Sequence, residues 1–120
     1  YTPTGPVRII NLYIAPTRDL EIYPFDDIGM HLASETPVII GGDFNACLRQ
    51  QNAVATELRE VVRHTRSYII KPREHTHGNA IIDYFILNRN INHETPSVFS
   101  DVTSDHLPVI VTLNLAALST

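Results

Sequence analysis

A carboxylate and an amide, Asp43 and Asn45, follow directly on an apolar run that ends in two glycines. The run, residues 38–40, is β-branched and uninterrupted, which is typical of a strand buried on both faces. Gly41 and Gly42 supply the conformational freedom for a turn where that strand ends. Ligands of open α/β sheets collect in the loops beyond strand ends, so this pair is a candidate site. The alternative is an acid and an amide that only shape a turn.

A second carboxylate, Asp83, lies inside the most strand-like segment of the sequence, residues 80–88. Alternation places it on the same face as three apolar side chains, those of Ile81, Phe85 and Leu87. Burying an unpaired carboxylate is costly, so Asp83 must meet a cation, a histidine or a set of hydrogen-bond donors.

Several polar residues thus fall at or near predicted strand ends: Tyr13, Asp43, Asn45, Asp83, Asp105 and His106. Carboxylates, an amide and one imidazole, without a cysteine cluster, favour Mg²⁺ or Mn²⁺ over zinc. Such a set suits phosphoryl chemistry. The ion clamps phosphate oxygens, a carboxylate aligns or deprotonates water, and the imidazole donates to the developing charge.

Other chemistries find less support in the pattern. Ser104, Asp105 and His106 are neighbours in one segment and point in different directions, and the sequence has no nucleophile elbow for a serine triad. Cys47 has no histidine tied to it by a motif, and is predicted to be a small buried residue. The remaining histidines are predicted to be surface residues rather than ligands: His31, His64, His75, His77 and His93.

Hydrophobic periodicity predicts the elements that must position these residues. They are strands at 7–14, 37–42, 67–70, 80–88 and 108–115, helices at 25–34 and 52–65, and a loop at 90–100. Helix 52–65 presents one apolar face, formed by Val54, Leu58, Val61 and Val62, with Asn52 as its N-cap. In the last strand Val109, Val111, Leu113 and Leu115 face one way. This order of elements indicates an α/β layered fold.

The composition is that of one globular domain of 120 residues, with 43% hydrophobic and 18% charged residues. No apolar run approaches the roughly 18 residues of a membrane span, and a single cysteine excludes an internal disulfide. The net charge of −4 hides a basic segment, residues 49–73, with six of the nine basic residues and two of the thirteen acidic ones. A basic segment beside an acidic site suits a polyanionic substrate. The alternative is an ordinary solvated helix face and loop.

Four motifs, taken in order, resemble the endonuclease/exonuclease/phosphatase superfamily: Asn-Leu-Tyr-Ile-Ala-Pro at 11–16, Gly-Asp-Phe-Asn at 42–45, Ile-Asp-Tyr-Phe at 82–85, and Ser-Asp-His at 104–106 with Pro108 and a strand after it. That superfamily includes apurinic endonucleases, DNase I, sphingomyelinases, inositol polyphosphate phosphatases and the endonucleases of non-LTR retrotransposons. The pattern is most similar to the retrotransposon and apurinic types.

The resemblance implies the C-terminal half of a four-layer α/β/β/α sandwich, with one mixed sheet and helices on one face. Residues 1–120 would form a partial domain, because the N-terminal half normally brings a metal-binding Glu in a Gln-Glu motif, and this sequence has no Gln-Glu pair. The open sheet face is expected to be covered by that missing half or by another protein.

The resemblance also assigns roles. Asp43 would activate or orient the attacking water and help to bind the metal, and Asn45 would hold that water or a phosphate oxygen. His106 would contact the scissile phosphate, with Asp83 orienting its imidazole. Asp105 would contribute to binding Mg²⁺ (or Mn²⁺), and Tyr13 would hydrogen-bond the phosphate. From the basic segment, Arg49 is expected to join Asn45 in binding substrate.

The favoured interpretation is part of a Mg²⁺-dependent nuclease that acts on DNA and is inactive as this chain alone. A second is a paralogue without catalysis that keeps phosphate or protein binding, and a third is a phosphatase or lipid phosphodiesterase relative. We expect no membrane association and an intracellular location, nuclear if the protein derives from a retroelement.

Overall fold

The structure is a computed structural model that describes residues 5–98, 106–107 and 109–114. Within these ranges the elements are β1 (Arg8–Tyr13), α1 (Phe25–Leu32), β2 (Val38–Asp43), α2 (Ala53–His64), β3 (Tyr68–Ile70), β4 (Asp83–Leu87), β5 (Ser97–Val98) and β6 (Val109–Ile110). A search of the described residues for a helix long and apolar enough to cross a bilayer found none.

The main sheet has four strands in the order β1-β2-β4-β3. Strand β1 runs parallel to β2, whereas β4 runs antiparallel to both of its neighbours. Strands β5 and β6 form a separate antiparallel pair. The mixed sheet and two helices confirm the predicted α/β class.

Both helices pack on the same face of this sheet. The larger core joins helical side chains such as Ile28 and Leu58 to strand residues Ile40, Tyr84 and Ile86. The smaller core lies on the opposite face, because its Ile39 alternates along β2 with the helix-facing Val38 and Ile40. It consists of Ile39, Ile70, Leu87 and Ile91. The sequence predicted that the helices lie on one face of the sheet, and this prediction is confirmed.

Helix α2 forms for the reasons that its sequence suggested. The side-chain oxygen of Asn52 accepts a hydrogen bond of 2.9 Å from the Ala55 backbone N–H and so satisfies one of the unpaired donors of the first turn. The apolar stripe of α2 is buried against the sheet, and the Leu58 side chain is fully buried. At the other end, the Val61 carbonyl accepts from both the backbone N–H of Thr65, at 3.1 Å, and the Thr65 hydroxyl, at 2.8 Å.

The two glycines before the site do not form the predicted turn. They lie inside β2, which continues to Asp43 as its last residue. A Cβ on Gly41 would lie 2.7 Å from the Phe85 ring, and one on Gly42, where φ is +140°, would lie 2.0 Å from the Leu12 carbonyl oxygen. Glycine is therefore needed for close packing of β2 against its neighbours.

Strand β4 begins only at Asp83, three residues later than predicted. Before it, the Ile82 carbonyl accepts from Phe44, and the Ile82 N–H donates to the Thr76 side chain. The strict alternation of a strand therefore does not extend back to Ile81, which packs in the helix-side core. The prediction that Ile81 shares a face with Asp83 was wrong, while Phe85 and Leu87 do belong to the smaller core on the other face.

The last predicted strand is also shorter than expected. Its described part forms ladder pairs only at Val109–Ile110, and its partner, β5, lies in the segment that was predicted to be a loop. Beyond this ladder the two segments pair again at an isolated antiparallel bridge between His93 and Leu113, with the Asn114 N–H donating to the Asn92 carbonyl at 2.8 Å. The predicted alternation nevertheless holds among the described residues: Val109, Val111 and Leu113 are half-buried, and Ile110, Thr112 and Asn114 are exposed. Leu115 lies outside the described residues.

Replacing Gly42 with alanine is expected to lower the free energy of unfolding by about 3 kcal/mol or more, because the new Cβ combines an unfavourable φ with overlap on the backbone of β1. Urea denaturation measures this loss. The matched control is Gly78→Ala, where φ is +55° but no atom lies within 4 Å, and where we expect a cost of about 1 kcal/mol. Equal losses in the two variants would contradict the close-packing explanation.

Candidate active site

Strand register brings three of the predicted site residues to one end of the sheet. Tyr13 is paired with Asp43 across β1 and β2, and Asp43 is paired with Asp83 across β2 and β4. The parallel strands β1 and β2 end here, and the antiparallel β4 begins here. The Tyr13 side chain is exposed, with 71% of its residue surface accessible.

His106 lies between the two carboxylates. Its Nδ1 is 3.0 Å from Asp83 Oδ2 and 3.3 Å from Asp83 Oδ1, and its Nε2 is 3.7 Å from Asp43 Oδ2. The Asp83 side chain is 16% exposed and the His106 side chain is 36% exposed. A carboxylate at Nδ1 favours the tautomer in which Nδ1–H donates to Asp83. The expectation that Asp83 meets a cation, a histidine or donors is confirmed.

Asn45 is held by two hydrogen bonds at the start of the next loop. Its Nδ2 donates to the Ile14 carbonyl at 2.9 Å, and its backbone N–H donates to Asp43 Oδ1 at 2.9 Å. Its φ of 48° is left-handed, a conformation that asparagine tolerates better than most residues. Asp43 therefore shapes a turn through Oδ1, as the turn-forming alternative predicted, while its Oδ2 lies 3.7 Å from His106 Nε2. The functional role of the pair stays a prediction.

Two tyrosine hydroxyls brace the loop that carries Asn45. Phe44 and Tyr84 stack with ring centroids 4.5 Å apart and 6° between planes. The Tyr84 hydroxyl donates to the Ala46 carbonyl at 2.8 Å, and the Tyr23 hydroxyl donates to the Phe44 carbonyl at 2.6 Å. Burial raises the pKa of both tyrosines well above its usual range, so both phenols keep the protons that they donate.

Thr76 connects the two sides of the site and was not foreseen from the sequence. Its side chain is fully buried, and Oγ1 accepts hydrogen bonds from the backbone N–H groups of Ile82 at 3.0 Å and Asp83 at 3.2 Å. Its carbonyl accepts from Leu107 N–H at 2.9 Å. Thr76 thereby fixes the start of β4 relative to the segment that carries His106. A buried threonine between two histidines carries no sequence signal that separates it from a surface turn.

His77 was predicted to be a surface histidine, and it is exposed, but its ring stacks on that of His106. The ring centroids are 4.4 Å apart and the planes differ by 29°. Sequence reasoning judged each histidine separately and so missed this contact.

The environment of Asp43 favours its protonated form. Burial raises the pKa of Asp43 above its ordinary value, and the neighbouring Asp83 charge raises it further. The N–H of Asn45 and the imidazoles of His106 and His77 act in the opposite direction without cancelling the shift. A carboxylate with a shifted pKa at a strand end is the kind of group that active sites contain.

Two predicted residues are not brought into this cluster by the described part of the chain. Arg49 is exposed and interacts with Cys47. Burial raises the pKa of Cys47, but hydrogen bonds from Ile81 and Arg49 and the Arg49 charge outweigh burial, so the pKa is lowered. Cys47 is buried, as predicted. Asp105 lies outside the described residues, and the roles of Asp105 and Arg49 stay predictions.

The donor set fits a hard cation. Among the described residues, Asp43, Asp83 and His106 form a group whose potential ligand atoms all lie within 4.8 Å of one another. Mg²⁺ is usually bound through one or two carboxylates and keeps several waters, so the carboxylates of Asp43 and Asp83 are of the kind that such an ion takes as ligands.

Two grooves flank the cluster. One, of about 790 Å³, is lined by residues that include Asn45, Cys47, His77 and Arg18. The other, of about 500 Å³, lies over the sheet face opposite the helices and includes Asp83, His106 and Ile9. Ile9 is 75% exposed, so part of this apolar face is open.

The fold and the Asp-His-Asp cluster define a protein of the DNase I-like, endonuclease/exonuclease/phosphatase type. A protein-family model described as endonuclease-reverse transcriptase matches residues 7–110. The chain therefore belongs to the endonuclease-reverse transcriptase family, and the resemblance read from its four motifs is confirmed. A comparison with curated protein sequences gave no match.

Among solved structures, the chain is similar to the cytolethal distending toxin of Haemophilus ducreyi, with a TM-score of 0.53 and 25% sequence identity. The match covers 75% of this chain and 42% of the toxin chain. This chain thus spans less than half the length of the structure that it resembles.

Replacing Asp43 with asparagine tests the electrostatics of the site. A raised pKa in the folded state favours folding at pH values below the ordinary pKa of aspartate, and this contribution is lost as the pH rises through the raised pKa. The Asp43→Asn variant does not titrate at this position. Its free energy of unfolding should therefore rise relative to that of the parent chain as the pH increases from 4 to 7, measured by urea denaturation.

The matched control is Asp19→Asn. Asp19 makes the same local hydrogen bond to the N–H two residues on, at 2.9 Å, but at an exposed position. A change with pH as large in this control as in Asp43→Asn would show that burial of Asp43 is not the cause.

Proposed function

We propose that this chain supplies the phosphate-contacting half of a metal-dependent nuclease domain. The observation that carries the proposal is the placement of His106 between Asp83 and Asp43, with its Nδ1 3.0 Å from one carboxylate and its Nε2 3.7 Å from the other. Family membership supports a hydrolytic role on nucleic acid, since the family is described as endonuclease-reverse transcriptase.

The proposed role of His106 follows from its hydrogen bond. Because Nδ1–H is directed to Asp83, the nitrogen that faces a substrate is Nε2. A protonated Nε2 donates a hydrogen bond to a phosphate oxygen as negative charge develops there. The partly exposed side chain of His106 is accessible to such a phosphate.

Asp43 is the proposed base for the attacking water. Burial beside Asp83 raises its pKa, which makes the ionised carboxylate a better proton acceptor at neutral pH. Asn45, held by Ile14 and Asp43, would orient the same water or a phosphate oxygen. The exposed Tyr13 hydroxyl would contact the phosphate. Arg49 would bind the nucleic-acid strand farther from the scissile phosphate.

Asp43 and Asp83 are the described residues that would hold Mg²⁺ or Mn²⁺, with Asp105 as a further ligand by resemblance. When bound, the ion would neutralise charge on the phosphate oxygens.

The proposed domain organisation is that residues 1–120 form part of a larger domain. Two observations support it: the match covers 42% of the toxin chain, and the sheet face around Ile9 is open. The other half of the domain would cover this face and bring the metal-binding Glu of the Gln-Glu motif. DNA is the proposed substrate, because the family description is that of an endonuclease and residues 49–73 are basic.

The chain of 120 residues is therefore expected not to nick supercoiled plasmid in Mg²⁺. The protein extended upstream to include the other half should nick plasmid in Mg²⁺ but not in EDTA. In that protein, Asp43→Asn and His106→Ala should each lower the rate about 100-fold or more. The control is His31→Ala, which removes an imidazole in the last turn of α1, outside the basic segment.

Rates that are unchanged in Asp43→Asn and His106→Ala would refute the proposed site. Metal-dependent nicking by the 120 residues alone would refute their inactivity but support the nuclease. DNA binding without turnover in the extended protein would point to the paralogue without catalysis, and cleavage of sphingomyelin or a phosphoinositide but not plasmid to the lipid phosphodiesterase relative.

Replacing Asp83 with asparagine is expected to lower kcat of the extended protein about 100-fold or more with little change in KM. Donation from Nε2 while Nδ1–H is bonded to residue 83 requires a doubly protonated, positively charged ring. An asparagine at this position has no negative charge with which to stabilise that ring, so the donor to the phosphate is weakened. Initial rates on a short duplex measure the two constants. A rise in KM at constant kcat would instead mean that Asp83 acts in substrate binding.

A further inference from the structure

We propose that His77 is a positioning residue that holds the His106 ring in its reactive orientation by stacking on it. This inference rests on the proposed function of His106. It concerns a residue outside the Asp43–Asp83–His106 group, whose sequence context predicted only a surface turn.

The backbone on one side of His77 forms a tight, hydrogen-bonded turn. The N–H groups of Thr76 and His77 donate to the Ala80 carbonyl at 3.0 and 3.1 Å, and the Ala80 N–H donates to the His77 carbonyl at 2.9 Å. Gly78 adopts a φ of +55° within this turn. His77 is therefore presented from a fixed backbone.

On its other side, His77 forms an antiparallel bridge with His106 itself. The neighbouring Leu107 N–H donates to the Thr76 carbonyl at 2.9 Å, which sets the register of the two segments. The imidazole rings then meet at a centroid distance of 4.4 Å and an angle of 29°. The stack is thus built from paired backbones and does not depend on two mobile side chains meeting at the surface.

The same turn also positions the other partner of His106. The Thr76 hydroxyl oxygen accepts from the Asp83 N–H at 3.2 Å, so one segment holds both the acid and the stacking ring. Asp83 restrains His106 in the plane of its ring, at Nδ1, and His77 restrains it over its face. A second restraint is needed because the His106 side chain is 36% exposed and rotation about its terminal torsion is intrinsically broad.

An aromatic ring is what this role requires. Flat rings in contact prefer offset-stacked or edge-to-face arrangements, which restrict rotation of each ring, whereas a branched aliphatic side chain fills similar space without that preference. We therefore expect His77→Phe to keep the orientation of His106 and His77→Leu to lose it. The control is His75→Leu, two residues away in an exposed position.

The first measurement is made on the 120-residue chain and needs no activity. Long-range ¹H–¹⁵N spectra of the imidazoles at a pH where the rings are neutral report which nitrogen of His106 carries the proton. The parent chain, His77→Phe and His75→Leu should show the Nδ1–H tautomer alone. His77→Leu should show a mixture of tautomers while the backbone amide signals of Thr76, Asp83 and Leu107 stay in place.

The second measurement uses the extended nuclease. His77→Leu should lower kcat 10- to 100-fold with KM changed less than twofold, because a misoriented catalytic group impairs the chemical step more than binding. His77→Phe should recover kcat to within about threefold of the parent enzyme.

The outcomes separate this inference from the proposed function. If His77→Leu leaves both the tautomer and kcat unchanged, or if His77→Phe fails to restore them, stacking is not the role of His77 and the inference is overturned. If the parent chain itself lacks the Nδ1–H tautomer, the hydrogen bond from His106 to Asp83 is contradicted. The proposed function is then refuted, and the inference that rests on it is overturned with it. If the backbone amide signals of Thr76, Asp83 and Leu107 shift in His77→Leu, then His77 only maintains the turn, and the inference is also overturned.

Discussion

The hydrogen bond between Asp83 and His106 is the interaction on which the rest of the site depends. A carboxylate at the start of a largely buried strand needs a partner, and the imidazole, 23 residues farther along the chain, provides one at 3.0 Å. To keep the two together, the chain fixes Asp83 through Thr76 and pairs the backbone of His106 with that of His77. The Asp83–His106 contact is therefore held in place from both sides by backbone hydrogen bonds and strand pairing.

The surroundings of the second carboxylate, Asp43, disfavour its charged form. Asp43 is the buried last residue of β2 and lies beside Asp83. Burial raises the pKa of Asp43, and the charge of Asp83 raises it further. The Asn45 N–H, which donates to Asp43 Oδ1, and the imidazoles of His106 and His77 offset part of this shift. A carboxylate in a position that does not favour its charge is a candidate for a functional group.

The two faces of the sheet differ in a way that matches the partial coverage of the toxin chain. Both helices pack on one face and enclose the larger core. The opposite face has a small core around Ile39 and Leu87, while Ile9 at its edge stays exposed. Asp83 and His106 line a groove on this less covered face, so whatever packs there also lies beside the Asp43–Asp83–His106 group.

Local patterns in the sequence determined the buried strand β2, the capped helix α2 and the need of Asp83 for a partner, because periodicity, capping and the cost of burying charge act within one segment. Recognisable motifs supplied the remaining site residues. Only the tertiary structure decided that Gly42 continues a strand, that Thr76 connects two segments and that His77 stacks on His106. Each of these depends on a neighbour distant in sequence, whose position is set by strand pairing and packing and leaves no periodic trace in the segment itself.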